Sequence, residues 1–141
     1  MAIEIQGIDH VVLRVADMAR SLRFYCEVLG CHEERRLADL GLVQLRAGQS
    51  LIDLVDVAAP LGRQGGAAPA HDGRNMDHLA LRLAHFEPAA LRGHLTLHGV
   101  DPGDIATRYG AEGEGPSMYI KDPDGNVIEL KGPPQTPARR G

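Results

Sequence analysis

The chain has 141 residues, 43% of them apolar, and a formal net charge of −4 at pH 7. This length suits one domain, or two small halves that share a core. The acidic balance argues against a nucleic-acid partner, which would need a basic face. No run of about 18 apolar residues is present, so no membrane span is expected, and residues 1–9 lack the pattern of a secretory signal. We therefore expect a cytoplasmic protein in which the two cysteines, Cys26 and Cys31, are free thiols.

The first predicted elements are a strand over residues 8–15 and a helix after it. Side chains alternate along the strand, so one face is expected to pack against the helix while the other carries His10 and Arg14. Asp17 is a typical helix N-cap, and Gly30 is placed to end the helix. The apolar stripe predicted for this helix consists of Met18, Leu22, Tyr25 and Leu29.

Three apolar-rich runs, residues 33–37, 41–46 and 49–57, predict three more strands. In the last run Asp53 shares a face with Leu51 and Val55, whereas Asp56 lies on the opposite face. A carboxylate between apolar neighbours is costly to bury unless it is paired, hydrogen-bonded or bound to a metal ion. Asp53 is therefore a candidate ligand.

Residues 58–75 are rich in glycine, alanine and proline and predict a linker, expected to be a plain connection rather than a cover for a site. A second half follows, with a strand over residues 76–83, a helix that starts near Pro88 and ends at Gly99, and a weak strand over 101–109. We expect a flexible loop over 110–116, and a hairpin of residues 117–121 and 126–131 closed by the turn 122–125. Residues 132–141 predict a flexible tail.

The two halves repeat one another. Residues 8–16, IDHVVLRVA, and residues 76–84, MDHLALRLA, are identical at five of nine positions, at an offset of 68 residues. A half-chain repeat sets the architecture. We predict one α+β domain over residues 1–131, built from two modules of strand, helix and three strands: residues 6–57 and residues 76–131. His78 and Arg82 occupy in the second half the positions that His10 and Arg14 occupy in the first. Glu129 likewise corresponds to Asp53.

Two histidines and two carboxylates at matching places predict a metal site. Neutral imidazole and carboxylate together suit Zn, Ni, Mn, Fe or Co and leave open positions for water or substrate. The alternative is that His10 and His78 are ordinary core histidines, alike only because of the duplication.

The chain resembles the vicinal oxygen chelate superfamily, the glyoxalase/bleomycin-resistance/dioxygenase proteins. The resemblance covers roughly residues 6–131 and is carried by the repeated strand, by LIDL at 51–54 and by YIKDPDGNVIEL at 119–130. It implies two βαβββ modules that cup a divalent metal ion. It also implies that the ligands are His10, Asp53, His78 and Glu129, and that Glu129 moves a proton between adjacent carbons of the substrate.

Two departures from the glyoxalase I pattern leave alternatives open. The second metal ligand of glyoxalase I is usually Glu, whereas Asp53 is one methylene shorter. If Asp53 is not a ligand, the remaining His10, His78 and Glu129 resemble the triad of the extradiol dioxygenases and fosfomycin-modifying enzymes. Arg14 matches an arginine that contacts glutathione, but the asparagine expected nearby is Val57, so glutathione as the substrate stays open.

The leading hypothesis is a homodimeric, divalent-metal-dependent lyase or isomerase of glyoxalase type. Its small oxygenated substrate is expected to be chelated to the metal and, where anionic, held by Arg14 and Arg82. The second hypothesis is an Fe(II)-dependent extradiol-type dioxygenase. The third is a metal-free protein that binds a small molecule or drug, as in bleomycin resistance.

Overall fold

The computed structural model describes residues 3–139. The chain divides into two compact units, Met1–Pro69 and Ala70–Gly141, and the boundary lies inside the predicted linker. No helix among the described residues is long and apolar enough to cross a membrane. Both cysteines are free.

The first unit is a four-stranded sheet with one main helix. Its elements are β1 (His10–Val15), α1 (Met18–Leu22) continued by a π-helical turn (Arg23–Val28), β2 (His32–Leu37), a 3-10 turn (Ala38–Leu40), β3 (Leu42–Ala47), β4 (Ser50–Asp56) and α2 (Pro60–Arg63). The strand order is β1-β4-β3-β2. Strand β1 runs parallel to β4, and the other pairs are antiparallel.

The second unit repeats this topology. Its elements are β5 (Leu79–Arg82), α3 (Pro88–Leu97), β6 (Ile105–Gly110), β7 (Gly113–Lys121), β8 (Val127–Lys131) and β9 (Thr136–Pro137). The order is β5-β8-β7-β6, with β5 parallel to β8, and β9 pairs with β7. The predicted α+β fold of two βαβββ modules is confirmed.

The main helix of the first unit begins and ends as predicted, but its buried face differs. Asp17 accepts a hydrogen bond from the backbone N–H of Arg20, and Gly30 follows with φ 79°. Within the turn, the N–H of Leu29 bonds the carbonyl oxygen of Phe24, five residues back, which widens the helix. The buried face begins about one residue earlier than predicted, and the fully buried positions are Ser21, Phe24 and Tyr25. Of the predicted stripe only Tyr25 is fully buried; the other three are half-buried.

Each unit has its own core beneath its helix. Leu45, Ile52 and Leu54 are at most 2% exposed in the first unit, as are Leu95, Met118, Ile128 and Leu130 in the second. Each such side chain contributes about 1.5–3 kcal/mol by leaving water.

Three predicted irregular segments are more ordered than expected. Strand β7 begins at Gly113, inside the predicted flexible loop, and the predicted tail supplies β9 beside it. Strands β7 and β9 lie so close at Gly113 that any side chain there would clash, because a Cβ would lie 2.0 Å from the carbonyl oxygen of Thr136. The predicted linker contains α2 and docks on Arg14, as described below. In contrast, the strand predicted over 76–83 is shorter, and His78 lies just before β5.

Candidate metal-binding residues

The first half-site is formed by His10 at the start of β1 and Asp53 in β4. Nδ1 of His10 lies 2.6 Å from the carboxylate of Asp9. This hydrogen bond raises the pKa of His10 above its ordinary value; desolvation opposes it, and the charge of Asp53 adds to it. Because a carboxylate can only accept, Nδ1 carries the proton and Nε2 presents its lone pair.

Asp53 is 3% exposed. Its Oδ2 accepts a hydrogen bond from Nε2 of Gln44 at 3.0 Å, whereas its Oδ1 has no hydrogen-bond partner among the described residues. A buried carboxylate oxygen without a partner is costly. A cation at this position would remove that cost.

The second half-site is formed by His78 and Glu129 in β8. Nδ1 of His78 lies 2.7 Å from the carboxylate of Asp77, and Nε2 lies 3.1 Å from Oε1 of Glu129. With the proton on Nδ1, the Nε2 lone pair faces a carboxylate oxygen. That arrangement is repulsive unless a proton or a metal ion lies between the two atoms. Glu129 is 6% exposed, so water does little to relieve the repulsion.

The two half-sites are equivalent by register. The residue two positions after each histidine is the Cα partner of the acid: Val12 pairs with Asp53, and Ala80 pairs with Glu129. Both half-sites also share the Asp-His pair, which fixes the tautomer that a metal-binding histidine needs. The chemistry of these donors therefore fits a divalent ion. No group of three or more His, Cys, Asp or Glu side chains placed to hold a metal ion occurs within residues 3–139, so each unit alone offers two donors.

Arg14 borders a cleft of about 560 Å³ in the first unit. Asp53, Val12 and Val55 also line this cleft, together with residues of the segment after α2. The Arg14 guanidinium donates to carbonyl oxygens of α2 and of that segment: Nε to Gly62 at 2.9 Å, Nη1 to Ala67 at 3.0 Å and Nη2 to Gly66. Part of the predicted linker thus forms one wall of the cleft beside Asp53.

Arg82 has different surroundings. It is exposed, and its Nε lies 3.5 Å from a carboxylate oxygen of Glu112. Arg14, in contrast, has no ion pair with a carboxylate among the described residues. The repeated arginines therefore have different environments.

Several residues around the half-sites were not among the sequence candidates. Asp9 and Asp77 are the same residue type at equivalent positions of the repeat, so the sequence could have identified them as partners of the two histidines. Gln44 comes from β3 and meets Asp53 only through strand pairing, as their Cα register shows. No local pattern marks such a neighbour.

Comparison with known proteins identifies the family of this chain. The model of the Glyoxalase/Bleomycin resistance protein/Dioxygenase superfamily matches residues 7–130. Virulence protein STM3117 of Salmonella typhimurium is 27% identical over 131 residues, which cover 89% of this chain and 83% of that protein. The structure of integron cassette protein VCH_CASS1 from V. cholerae matches with a TM-score of 0.71 at 28% identity, over 94% of this chain and 98% of that one.

Lactoylglutathione lyase from Agrobacterium tumefaciens matches with a TM-score of 0.65 at 19% identity, over 91% of this chain and 94% of that one. At this identity the likeness shows the fold alone. The superfamily match, in contrast, covers most of the chain and includes both histidines and both acids. The chain therefore belongs to the Glyoxalase/Bleomycin resistance protein/Dioxygenase superfamily.

Proposed function

We propose that the protein is a divalent-metal-dependent enzyme of glyoxalase type, a lyase or isomerase. In this proposal His10, Asp53, His78 and Glu129 bind one ion, and the substrate is a small oxygenated compound. The observation that supports it most is the pair of matched half-sites, each with a histidine held by the preceding aspartate and a buried carboxylate on a neighbouring strand. When bound, a divalent ion would supply Lewis acidity towards substrate oxygens.

Glu129 is the proposed catalytic base. It accepts a proton from one substrate carbon and returns it to the adjacent carbon, so the reaction consumes no oxidant and releases no electrons. Its burial supports this role, because bulk water is largely excluded from the carboxylate that would move the proton. Among residues 70–139, only His78 lies within ion-pair distance of Glu129.

Arg14 and Arg82 are proposed to bind an anionic part of the substrate. Arg14 is the stronger candidate of the two, because it borders the cleft that Asp53 also lines and forms no ion pair with a carboxylate of the described chain. Arg82 would have to exchange Glu112 for the substrate. We also propose that the protein acts as a homodimer, since β1 and β5 are edge strands within their own sheets.

The experiment that tests the proposal is elemental analysis of protein purified without chelator or added metal. The wild type is compared with His10→Ala, His78→Ala and a control, His94→Ala, which removes an exposed histidine from α3. We expect about one equivalent of Ni, Zn, Mn or Co per chain, lost in both ligand variants and retained in the control. Assays of proton transfer on α-hydroxycarbonyl substrates and hemithioacetals then follow.

The other results identify the alternatives. If the wild type contains two equivalents of metal per chain and each ligand variant loses one of them, the two half-sites bind separate ions. That result would overturn the proposal of one shared ion. Oxygen-sensitive iron would favour the dioxygenase. If no metal binds after loading with each ion in turn, the metalloenzyme proposal fails and a small-molecule-binding protein remains.

A further inference from the structure

Two cationic side chains of the second unit, Arg108 on β6 and Lys131 on β8, have no carboxylate partner among the described residues. Lys131 is 9% exposed. Its ammonium has one hydrogen-bond contact there, to the carbonyl oxygen of Gly132 at 3.5 Å, which is a long distance for such a bond. A buried ammonium with so little compensation is costly unless an anion accompanies it.

Arg108 is held in one orientation. Its Nη1 donates to the hydroxyl of Ser117 at 2.7 Å and to the carbonyl oxygen of Ser117 at 3.1 Å. The guanidinium also stacks over the ring of Tyr119, 4.3 Å from the centroid. Nε and Nη2 have no partner among the described residues. A fixed guanidinium with unused N–H groups is well suited to bind an oxyanion.

Strand pairing brings the two cations to the same face of the sheet. Ser117 is the Cα partner of Lys131, and Gly115, two residues earlier on β7, is the partner of Arg108. The Lys131 ammonium lies 3.2 Å from the position that a Cβ of Gly115 would occupy. Because residue 115 is glycine, the lysine ammonium has room over the Cα partner of Arg108.

This face also carries the proposed catalytic carboxylate. Tyr119, which supports Arg108, is the Cα partner of Glu129. Its ring packs against that of His78, with the centroids 5.3 Å apart. Lys131 thus follows Glu129 by two residues on the same face of β8, and Arg108 stacks on the tyrosine ring that contacts His78.

We propose that Arg108, Lys131 and the Ser117 hydroxyl form an oxyanion-binding site that holds a phosphate or carboxylate group of the substrate. The identification of this anion as part of the substrate rests on the proposed function; the binding of an oxyanion does not. The site differs from Arg14, whose donors go to backbone carbonyl oxygens, and from Arg82, which faces Glu112. It predicts an anionic substrate whose charged group lies on the β6–β7–β8 side of Glu129.

The test uses full-length protein stripped of metal, titrated with inorganic phosphate and with acetate at constant ionic strength and followed by thermal unfolding and calorimetry. We expect at least one of the two anions to bind, and the preferred anion shows whether the group is a phosphate or a carboxylate. Arg108→Gln and Lys131→Met should each weaken binding about tenfold or more, the loss expected for one charge-assisted hydrogen bond. Arg92→Gln is the matched control and should bind the anions as wild type does, since Arg92 donates to the carbonyl oxygen of Gly103.

Lys131→Met also separates a lost site from a misfolded protein. Without added anion, removal of the buried charge should leave Tm equal or higher than in wild type, whereas saturating anion should raise the Tm of wild type alone. The proposal is overturned if neither anion binds wild type, if binding is unchanged in both variants, or if Lys131→Met lowers the Tm of the anion-free protein. Anion binding without any bound metal ion in the elemental analysis would uphold this site and refute the metal proposal, so the two failures are distinguishable.

Discussion

Replacement of Asp53 by asparagine tests the idea that the first half-site is built to hold a cation. The substitution keeps the shape of the side chain and an oxygen that can accept the hydrogen bond of Gln44. It removes the negative charge from a group that is 3% exposed and whose Oδ1 has no partner among the described residues. The metal-free protein should therefore become more stable.

The size of the gain in the free energy of unfolding depends on which buried polar groups still lack partners after the substitution. An unsatisfied buried group costs about 1–3 kcal/mol, and more when it is charged. Since an amide N–H₂ would still lack partners, only the charged part of the cost is recovered, and we expect a gain of about 1–2 kcal/mol. For a chain of this length, that gain raises Tm by about 3–6 °C.

A divalent ion should reverse the order of stability. At an ion concentration of about 100 Kd, binding stabilises the wild type by about 2.7 kcal/mol, and Asp53→Asn should lose most of this gain because one ligand is gone. The assay is thermal unfolding followed by circular dichroism, first with chelator and then with each ion. Asp56→Asn is the control, because Asp56 accepts from the N–H of Ala58 and an amide oxygen can do the same. A metal-free Asp53→Asn protein less stable than wild type would refute the reasoning.

Three further predictions concern the half-site histidines, the two cysteines and the segment after α2. Asp9→Ala and Asp77→Ala should each weaken metal affinity about 10- to 100-fold by releasing the histidine ring, measured by metal titration; unchanged affinity would contradict this. Burial raises the pKa of the Cys31 thiol to about 11, so at pH 8 only about one such thiol in a thousand is ionised. Iodoacetamide should label Cys26 well before Cys31 in peptide mass spectra, and equal labelling would show that Cys31 is accessible. Gly62→Ala should free the segment after α2, because its Cβ would lie 1.8 Å from the carbonyl oxygen of Asp56; faster proteolysis within residues 62–75 is expected, and an unchanged rate would argue against it.

The parts of the fold that follow a short-range rule could be predicted from the sequence. Alternation identified the first strand of each half, and apolar-rich runs identified the other strands of the first half. Asp17 and Gly30 bounded the helix, and the turn over 122–125 is closed by the N–H of Gly125 and the carbonyl oxygen of Asp122. The duplication then fixed the topology, because two copies of one module must pair their strands in the same order. The candidate acids also followed from the repeat, since Asp53 and Glu129 are both buried on matching strands.

The features that the sequence did not predict are of two kinds. Some depend on residues distant in sequence, and others depend on local backbone conformations of nearly equal energy. The π-helical turn differs from an α-helix in bonding an N–H to the carbonyl oxygen five residues back, as Leu29 does to Phe24, and composition does not select it. The tail was predicted as flexible from its prolines, yet the N–H of Gln135 bonds the carbonyl oxygen of Glu114, a contact that only the folded β7 provides. Arg108 and Lys131 likewise come together only through the registers of β6, β7 and β8.

The differences between the two half-sites argue for unequal roles of their acids. Asp53, one methylene shorter than Glu129, gives one oxygen to Gln44 and is held in the sheet by that bond. Glu129 has no such amide partner among the described residues and lies 3.1 Å from Nε2 of His78. A carboxylate that already accepts a neutral hydrogen bond is restrained in position and suits a fixed ligand. One whose only close partner is an imidazole can turn towards a substrate and take up a proton, which supports Glu129 over Asp53 as the base.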